Sequence, residues 1–376
     1  MIYLDNAATT QISEPVLEAM MPYLTTQYGN PSSSHSLGRA AQQAVQEARE
    51  IIADSINALP EEIFFTSGGS ESNNFIIKGY NEGRCGTVIT SKIEHHSVTN
   101  ALKQVKKNPN DILFVDNDKN GLISVSALKN ICRWSTDFCS IMMVNNEIGT
   151  IQPIQEIGQF CNDKNIFFHC DAVQAFGKLH IDVQKLMLDG MSVSGHKIHG
   201  PKGIGFAYIS KSKQKEIRPL IIGGQQEQFL RAGTENVAAI VGLGKATEIA
   251  MQNIADNCLH VMQLSNVLLS YLSTIPYCHL NCDLKMTDYR HINFRIDGIA
   301  AEVMLELLNM QGIYVSSGSA CNSSSNNPSH VLLALGLSEQ QANESLRVSL
   351  DENLTEQDII KFCKYLEMTI EMIKEK

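Results

Sequence analysis

No stretch of this sequence is apolar for the 18 or more residues that a membrane-spanning helix needs, and its first residues, MIYLDNAATT, have neither a basic start nor an apolar segment after it. No spanning helix and no export signal are visible, so a cytoplasmic protein is expected. Charge is scarce, at 19 %, and leans acidic: 30 Lys plus Arg against 40 Asp plus Glu give a formal net charge of -10. Such a chain repels phosphate polymers and anionic surfaces at long range, so neither a direct nucleic-acid partner nor a membrane partner is expected. The ten cysteines, at 85, 132, 139, 161, 170, 258, 278, 282, 321 and 363, lack the paired C-x2-C spacing of zinc sites. No metal site is expected, and the scattered thiols suit a reducing compartment.

What is present is a 376-residue chain with 43 % apolar residues, too apolar for a disordered protein and long enough for about two or three domains at roughly 100–200 residues each. From about residue 14 to 210, helical and strand patterns alternate, which argues for βα units around a mostly parallel sheet. The clearest helix spans 37–58: Leu37, Ala40, Ala41, Ala44, Val45, Ala48, Ile51, Ile52 and Ile56 recur at three- and four-residue steps. Apolar runs at Ile63–Thr66, Thr87–Thr90, Ile112–Val115, Ile141–Asn145, Ile166–Cys170 and Gly203–Ile209 read as buried strands, whose C-terminal ends are where an open α/β sheet collects ligands. A long helix is expected at 234–274. Beyond it, strands at His291–Ile296 and Ser345–Leu350 and helices at Ala300–Asn309 and about 355–374 read as a smaller α+β unit. The small polar residues of SSGSACNSSSNNPS, 316–329, read as a surface loop.

Three segments carry chemistry. FFTSGGSESNN, 64–74, is a strand, a Gly-rich turn and a helix start; it is either an ordinary turn or a cradle where backbone amides meet a phosphate. It has neither the Lys-Ser/Thr of a P-loop nor the G-x-G-x-x-G spacing of a dinucleotide site, which disfavours ATP and NAD. FFHCDAVQAFGK, 167–178, ends an apolar strand on Asp171, which either caps the next turn or is a buried acid in need of a cation. SVSGHKIHGPKGIG, 192–205, sets Ser194, His196 and Lys197 in a turn after a strand, where Lys197 is either an exposed cation or an amine able to bond a carbonyl cofactor. Phosphate cradle, buried acid and reactive amine together are the three handles that pyridoxal phosphate requires.

With LDNAATT (4–10), GNPSSSH (29–35), EHHSV (94–98), NNEIGTIQPI (145–154), RAGTEN (231–236), SSGSAC (316–321) and LRVSL (346–350) in the same order, the chain resembles cysteine desulfurases of the NifS/IscS family, class-V-aminotransferase-like enzymes. The likeness spans essentially the whole chain. It implies fold type I, with a seven-stranded, mostly parallel sheet flanked by helices in a large domain of residues 14–255. A smaller α+β domain is then made of 1–13 and 256–376. SSGSAC resembles the first desulfurase group, in which a loop cysteine hands sulfur to acceptors.

The roles implied by the resemblance are specific. Lys197 corresponds to the lysine that carries pyridoxal phosphate, Asp171 to the partner of its ring nitrogen and Gln174 to the donor toward its phenolic oxygen. His95 would stack on the ring and shuttle protons, while Gly69, Ser70, Ser194 and His196 would hold the phosphate, joined by Thr234 from the other subunit of a homodimer. Ser70 stands where relatives often carry threonine and keeps the hydroxyl. Asn146, also beside the cofactor, and Arg347 would bind the substrate carboxylate. The implied reaction takes L-cysteine to L-alanine, with Cys321 receiving the sulfur as a persulfide and passing it to acceptor proteins such as an iron–sulfur scaffold. Transfer RNA thiolation and DNA phosphorothioation are other destinations. A selenocysteine lyase or an aminotransferase on the same fold, or a non-catalytic docking partner, are the alternatives.

Overall fold

A computed structural model describes residues 1–317 and 327–374. In chain order the strands and α-helices are β1 (Ile2–Tyr3), α1 (Glu14–Thr25), α2 (Ser36–Ser55), β2 (Ile63–Thr66), α3 (Gly69–Asn81), β3 (Thr87–Ser91), α4 (His96–Val105), β4 (Ile112–Val115), α5 (Val125–Ile131), β5 (Thr136–Ser140), α6 (Ile154–Asp163), β6 (Phe167–Asp171), β7 (Gly190–Ser194) and β8 (Gly205–Ile209). They continue with α7 (Val237–Leu272), β9 (Cys278–Leu280), β10 (His291–Ile296), α8 (Ala301–Met310), β11 (Ile313–Tyr314), α9 (His330–Ala334), α10 (Glu339–Asn343), β12 (Ser345–Ser349) and α11 (Glu356–Lys374).

Seven strands form the central sheet in the order β2-β8-β7-β6-β5-β3-β4. Strand β8 is antiparallel to both neighbours, and the other pairs are parallel. This is the mostly parallel, seven-stranded α/β architecture that the resemblance implied. The strands are apolar throughout because both faces are covered. Ile63, Phe65, Ile89 and Phe168 pack with α2, α6 and the start of α7, while Phe64, Val88, Phe138 and Phe167 pack on the other side with α3 and α4.

Helix α2 begins at a cap in which His35 Nδ1 accepts the Gly38 N–H at 3.2 Å. Ala41, Ala44, Val45, Ala48 and Ile52 face the core as expected, but Leu37, Ala40 and Ile51 are exposed. They sit toward the end and the edge of the apolar stripe that the sheet and α7 cover. The run Ile141–Asn145 is also not a strand: the ladder ends with Ser140, and Asn145 Oδ1 accepts the N–H groups of Glu147 and Ile148 at 2.8 and 3.1 Å. Burial alone does not separate a strand from buried irregular backbone.

Helix α7, 36 residues and so about 54 Å long, runs from the first core into a second. There Val261, Leu264 and Leu268 meet Ile292, Phe294, Val348, Phe362 and Leu366. That second core lies on the antiparallel sheet β12-β10-β9. Strand β1 pairs with β11, and Asp5 bridges to Ser349, so the N-terminal strip is held beside β12 and then crosses to the Lys197 turn through the Thr10 N–H bond to His196 O. Among the described residues no helix is long and apolar enough to cross a membrane.

Candidate active site

The turn from β2 to α3 builds the first wall. Gly68, the residue before the helix, has φ +146° and ψ -176°, a conformation that L side chains rarely adopt. At Gly69 an added Cβ would lie 2.5 Å from Val173 Cγ2. The two glycines therefore let the helix start close against the β6 end, and its first-turn amides and dipole present positive potential there. Glu71 in that turn accepts the Ser67 N–H at 2.8 Å and pairs with Arg231 at 2.9 Å, so its charge does not oppose an anion.

The ends of β6 and β7 supply the second wall. Asp171, only 4 % exposed, accepts Asn73 Nδ2 at 2.7 Å and the Val173 N–H at 3.0 Å. It thus caps its own turn and is a buried acid at once. The turn after β7 carries His196 and Lys197. Lys197 Nζ donates to the carbonyls of Ala7 and Ala8 at 2.5 and 2.7 Å. His196 Nδ1 lies 3.1 Å from Thr9 Oγ1; burial, reinforced by Lys197 and Lys202, pushes its pKa down to about 4, so the ring is neutral.

Gln174 links this wall to a charged interior. Its Nε2 donates to Ala7 O at 3.0 Å, while Lys178 Nζ donates to its Oε1 at 3.3 Å. Burial, with Arg290 nearby, pulls the Lys178 pKa down to about 8 against the pull of Asp288, Glu352 and Asp351. On the facing side His95 caps α4, its Nδ1 accepting the Ser97 N–H at 3.1 Å. Arg347, on β12 and 2 % exposed, pairs with Asp5 at 2.6 Å and donates to Asn146 O at 3.0 Å.

These groups enclose a cavity of about 550 Å³, large enough for a small cofactor with its substrate. Ten of the twelve residues expected from sequence line it: Gly69, Ser70, His95, Asn146, Asp171, Gln174, Ser194, His196, Lys197 and Arg347. Thr234 is exposed and does not line it, and Cys321 lies outside the described residues. Sequence reasoning missed Ala7, Ala8, Asp5, Asn73 and Ser97. Each sits inside a quoted motif, but the motif gave no sign of which atom it would offer. Glu94 was missed as well: fully buried behind His95, it is pushed up to about 8 by burial, although Ser91 Oγ and the Met142 N–H donate to it.

A family model described as aminotransferase class-V matches residues 2–362. The chain belongs to the class-V aminotransferase family. The chain is 44 % identical over 376 residues to cysteine desulfurase IscS of Methanosarcina thermophila, covering 99 % of this chain and 93 % of that one. Among solved structures it is similar to a NifS-like protein, with a TM-score of 0.92 and 36 % identity over 99 % of both chains. It is also similar to SspA in complex with cysteine, with a TM-score of 0.82 and 38 % identity over 94 % of this chain and 99 % of that one. The family likeness and the cavity coincide: the strand ends and the α3 N-terminus offer an anion cradle, a buried acid and an amine around one space.

Proposed function

We propose that this chain is a pyridoxal-phosphate-dependent cysteine desulfurase that converts L-cysteine to L-alanine and moves the sulfur to Cys321. The observation that carries the reading is the meeting of Lys197, Asp171 and the α3 N-terminus in one cavity. The donor set fits the cofactor. Asp171 is buried, and its hydrogen-bond partners among the described residues are neutral, the Asn73 amide and the Val173 N–H, which matches a protonated ring nitrogen rather than a second anion. Gly69, Ser70, Ser194 and His196 would hold the phosphate, and Gln174 would donate to the phenolic oxygen.

When bound, the cofactor supplies an electron sink that loosens the Cα–H and Cβ–S bonds of an amino acid. Arg347, with Asn146 beside it, binds and orients the substrate carboxylate through its planar fork of donors. Lys197 Nζ would hold the cofactor in the resting enzyme and would take the Cα proton of the substrate, and His95 would support the cofactor ring. The Cys321 thiolate bonds to the substrate sulfur as the Cβ–S bond breaks; Cβ keeps the electron pair and gains a proton, leaving L-alanine and a persulfide.

The wider reading follows from the same roles. A homodimer brings Thr234 of one subunit to the phosphate of the other, the large domain spans 14–255, and the protein works in the cytoplasm. Acceptor proteins, an iron–sulfur scaffold first among them, take the sulfur. In the test, purified protein loaded with pyridoxal phosphate is supplied with L-cysteine and a thiol reductant. Equal yields of alanine and sulfide are expected; Cys321→Ala should lose the sulfide and keep the yellow absorbance, and Lys197→Ala should lose the absorbance. Pyruvate or transfer of the amino group in place of alanine and sulfide would overturn the reading, and full activity of Cys321→Ala would favour a lyase that needs no thiol.

A further inference from the structure

The His95 ring nitrogen nearer the start of α4 is closed to protons by a chain of hydrogen bonds that begins at Asp171. A carboxylate only accepts, so the Asn73 atom 2.7 Å from Asp171 Oδ2 is the amide nitrogen. The other hydrogen of that nitrogen goes to Ser97 Oγ at 2.8 Å. Ser97 Oγ, already accepting, turns its own hydrogen to His95 Nδ1 at 2.7 Å, and the Ser97 backbone N–H meets the same Nδ1 at 3.1 Å. Asn73 is 1 % and Asp171 4 % exposed, so water does not compete for the bond between them, while Ser97 and His95 are half-buried. With two donors aimed at it, Nδ1 carries no hydrogen and the neutral ring keeps its proton on Nε2. A proton added at Nδ1 would face the Ser97 N–H and take from the Ser97 hydroxyl the acceptor it donates to.

We propose that Asn73 and Ser97 are positioning residues that hold His95 as the neutral Nε2–H tautomer. In the desulfurase reading, on which this functional consequence rests, His95 is then a ring-face support and hydrogen-bond donor, and proton return falls to Lys197. This narrows the shuttle role that the family resemblance implied. The charged and titratable groups around His95 among the described residues agree with it. His96 lies 6.4 Å away, ring to ring, with His330 of α9 4.5 Å beyond it. Lys197, His196, Lys202 and Arg347 share the cavity, and all of these oppose an imidazolium when charged. Of the acids, Glu71 is paired with Arg231, Glu94 is held protonated at neutral pH by burial, Glu147 accepts the Ser329 hydroxyl, and Asp171 acts through the Asn73 amide.

Ring-nitrogen NMR of the histidine-labelled holoenzyme tests this, with the His95 signal assigned through His95→Gln. The expected result is a ring with its hydrogen on Nε2 and none on Nδ1 at neutral pH. Ser97→Ala keeps the backbone N–H and the Asn73–Asp171 bond, and should raise the His95 pKa by ~0.5 pH units or more; Asn73→Ala should do the same. If Asn73→Ala fails to fold, Ser97→Ala decides. A wild-type ring with its hydrogen on Nδ1, or a Ser97→Ala ring that titrates as in wild type, would overturn the proposal. Alanine release from cysteine is measured on the same samples: its absence in wild type would remove the desulfurase reading and leave the tautomer result standing.

Discussion

His199 should be among the strongest single electrostatic contributors to stability, and replacing it with asparagine isolates that contribution. The residue sits two positions after Lys197 with φ +62°, a left-handed conformation that asparagine tolerates better than most side chains. Its backbone N–H donates to Thr10 Oγ1 at 2.8 Å, its Nδ1 lies 2.9 Å from Gln11 O, and its Nε2 lies 3.0 Å from Asp351 and 3.4 Å from Glu352. Both ring nitrogens face acceptors, which is the pattern of an imidazolium. Burial opposes the charge, but the two carboxylates outweigh it and hold the pKa up at about 10. Against an unfolded value of about 6.5 this is ~3.5 pH units, and at ~1.4 kcal/mol per unit it sets a ceiling of about 5 kcal/mol. Because the folded pKa is raised, that stability is fully present below about pH 6.5 and is lost as pH rises through about 10. His199→Asn should therefore cost about 3–5 kcal/mol near pH 6, with the gap closing toward pH 10. Urea unfolding of the holoprotein at fixed concentration, repeated across this range, reads it directly. A loss below ~1 kcal/mol near pH 6, or an equal loss at every pH, would show that His199 is not held as a stabilising imidazolium.

Glu94 gives a slope of the same sign in a lower pH window: its folded pKa of about 8 exceeds its ordinary value of 4.5, so the wild type should lose stability as pH rises from 4.5 to 8. Glu94→Gln should remove that slope and be the more stable protein near pH 8 by ~2 kcal/mol or more, checked by denaturant titration at several pH values. Arg347→Lys should raise KM for cysteine about tenfold or more, because an ammonium cannot form the bidentate carboxylate pair; steady-state kinetics with an unchanged KM would count against Arg347 as the carboxylate anchor. Gly68→Ala should weaken cofactor binding and lower stability by about 1–3 kcal/mol, since its φ of +146° strains any Cβ-bearing residue. Equilibrium dialysis of apoprotein with pyridoxal phosphate, next to a thermal melt, measures both effects.

Most of the sheet was legible because buried parallel strands are nearly continuous apolar runs. β2 and β4 match the expected limits, and β3 and β6 differ only at their edges. Ile141–Asn145 misled because it is as apolar as a strand but lies past the end of the ladder. The five-residue helices α9 and α10 left no periodic signal, since a helix so short makes barely more than one turn. At the site, motif order located Lys197, Asp171 and Gln174. It gave no view of Lys178 beneath Gln174, of the Ala7 and Ala8 carbonyls on Lys197, or of Asn73 between Asp171 and Ser97. Apart from Lys178 and Gln174, four residues apart, those contacts join separate segments, 190 residues apart for Lys197 and Ala7, and all depend on which atom faces which.

In the proposed reaction, sulfur from cysteine passes through one thiol of the ten, Cys321. Mass spectrometry of the holoenzyme after a single turnover with L-cysteine, without reductant, tests it most directly. One added sulfur atom on the Cys321 peptide, with one L-alanine released per site, is the predicted result. Alanine released with no sulfur on Cys321, or sulfur carried by another cysteine, would contradict it.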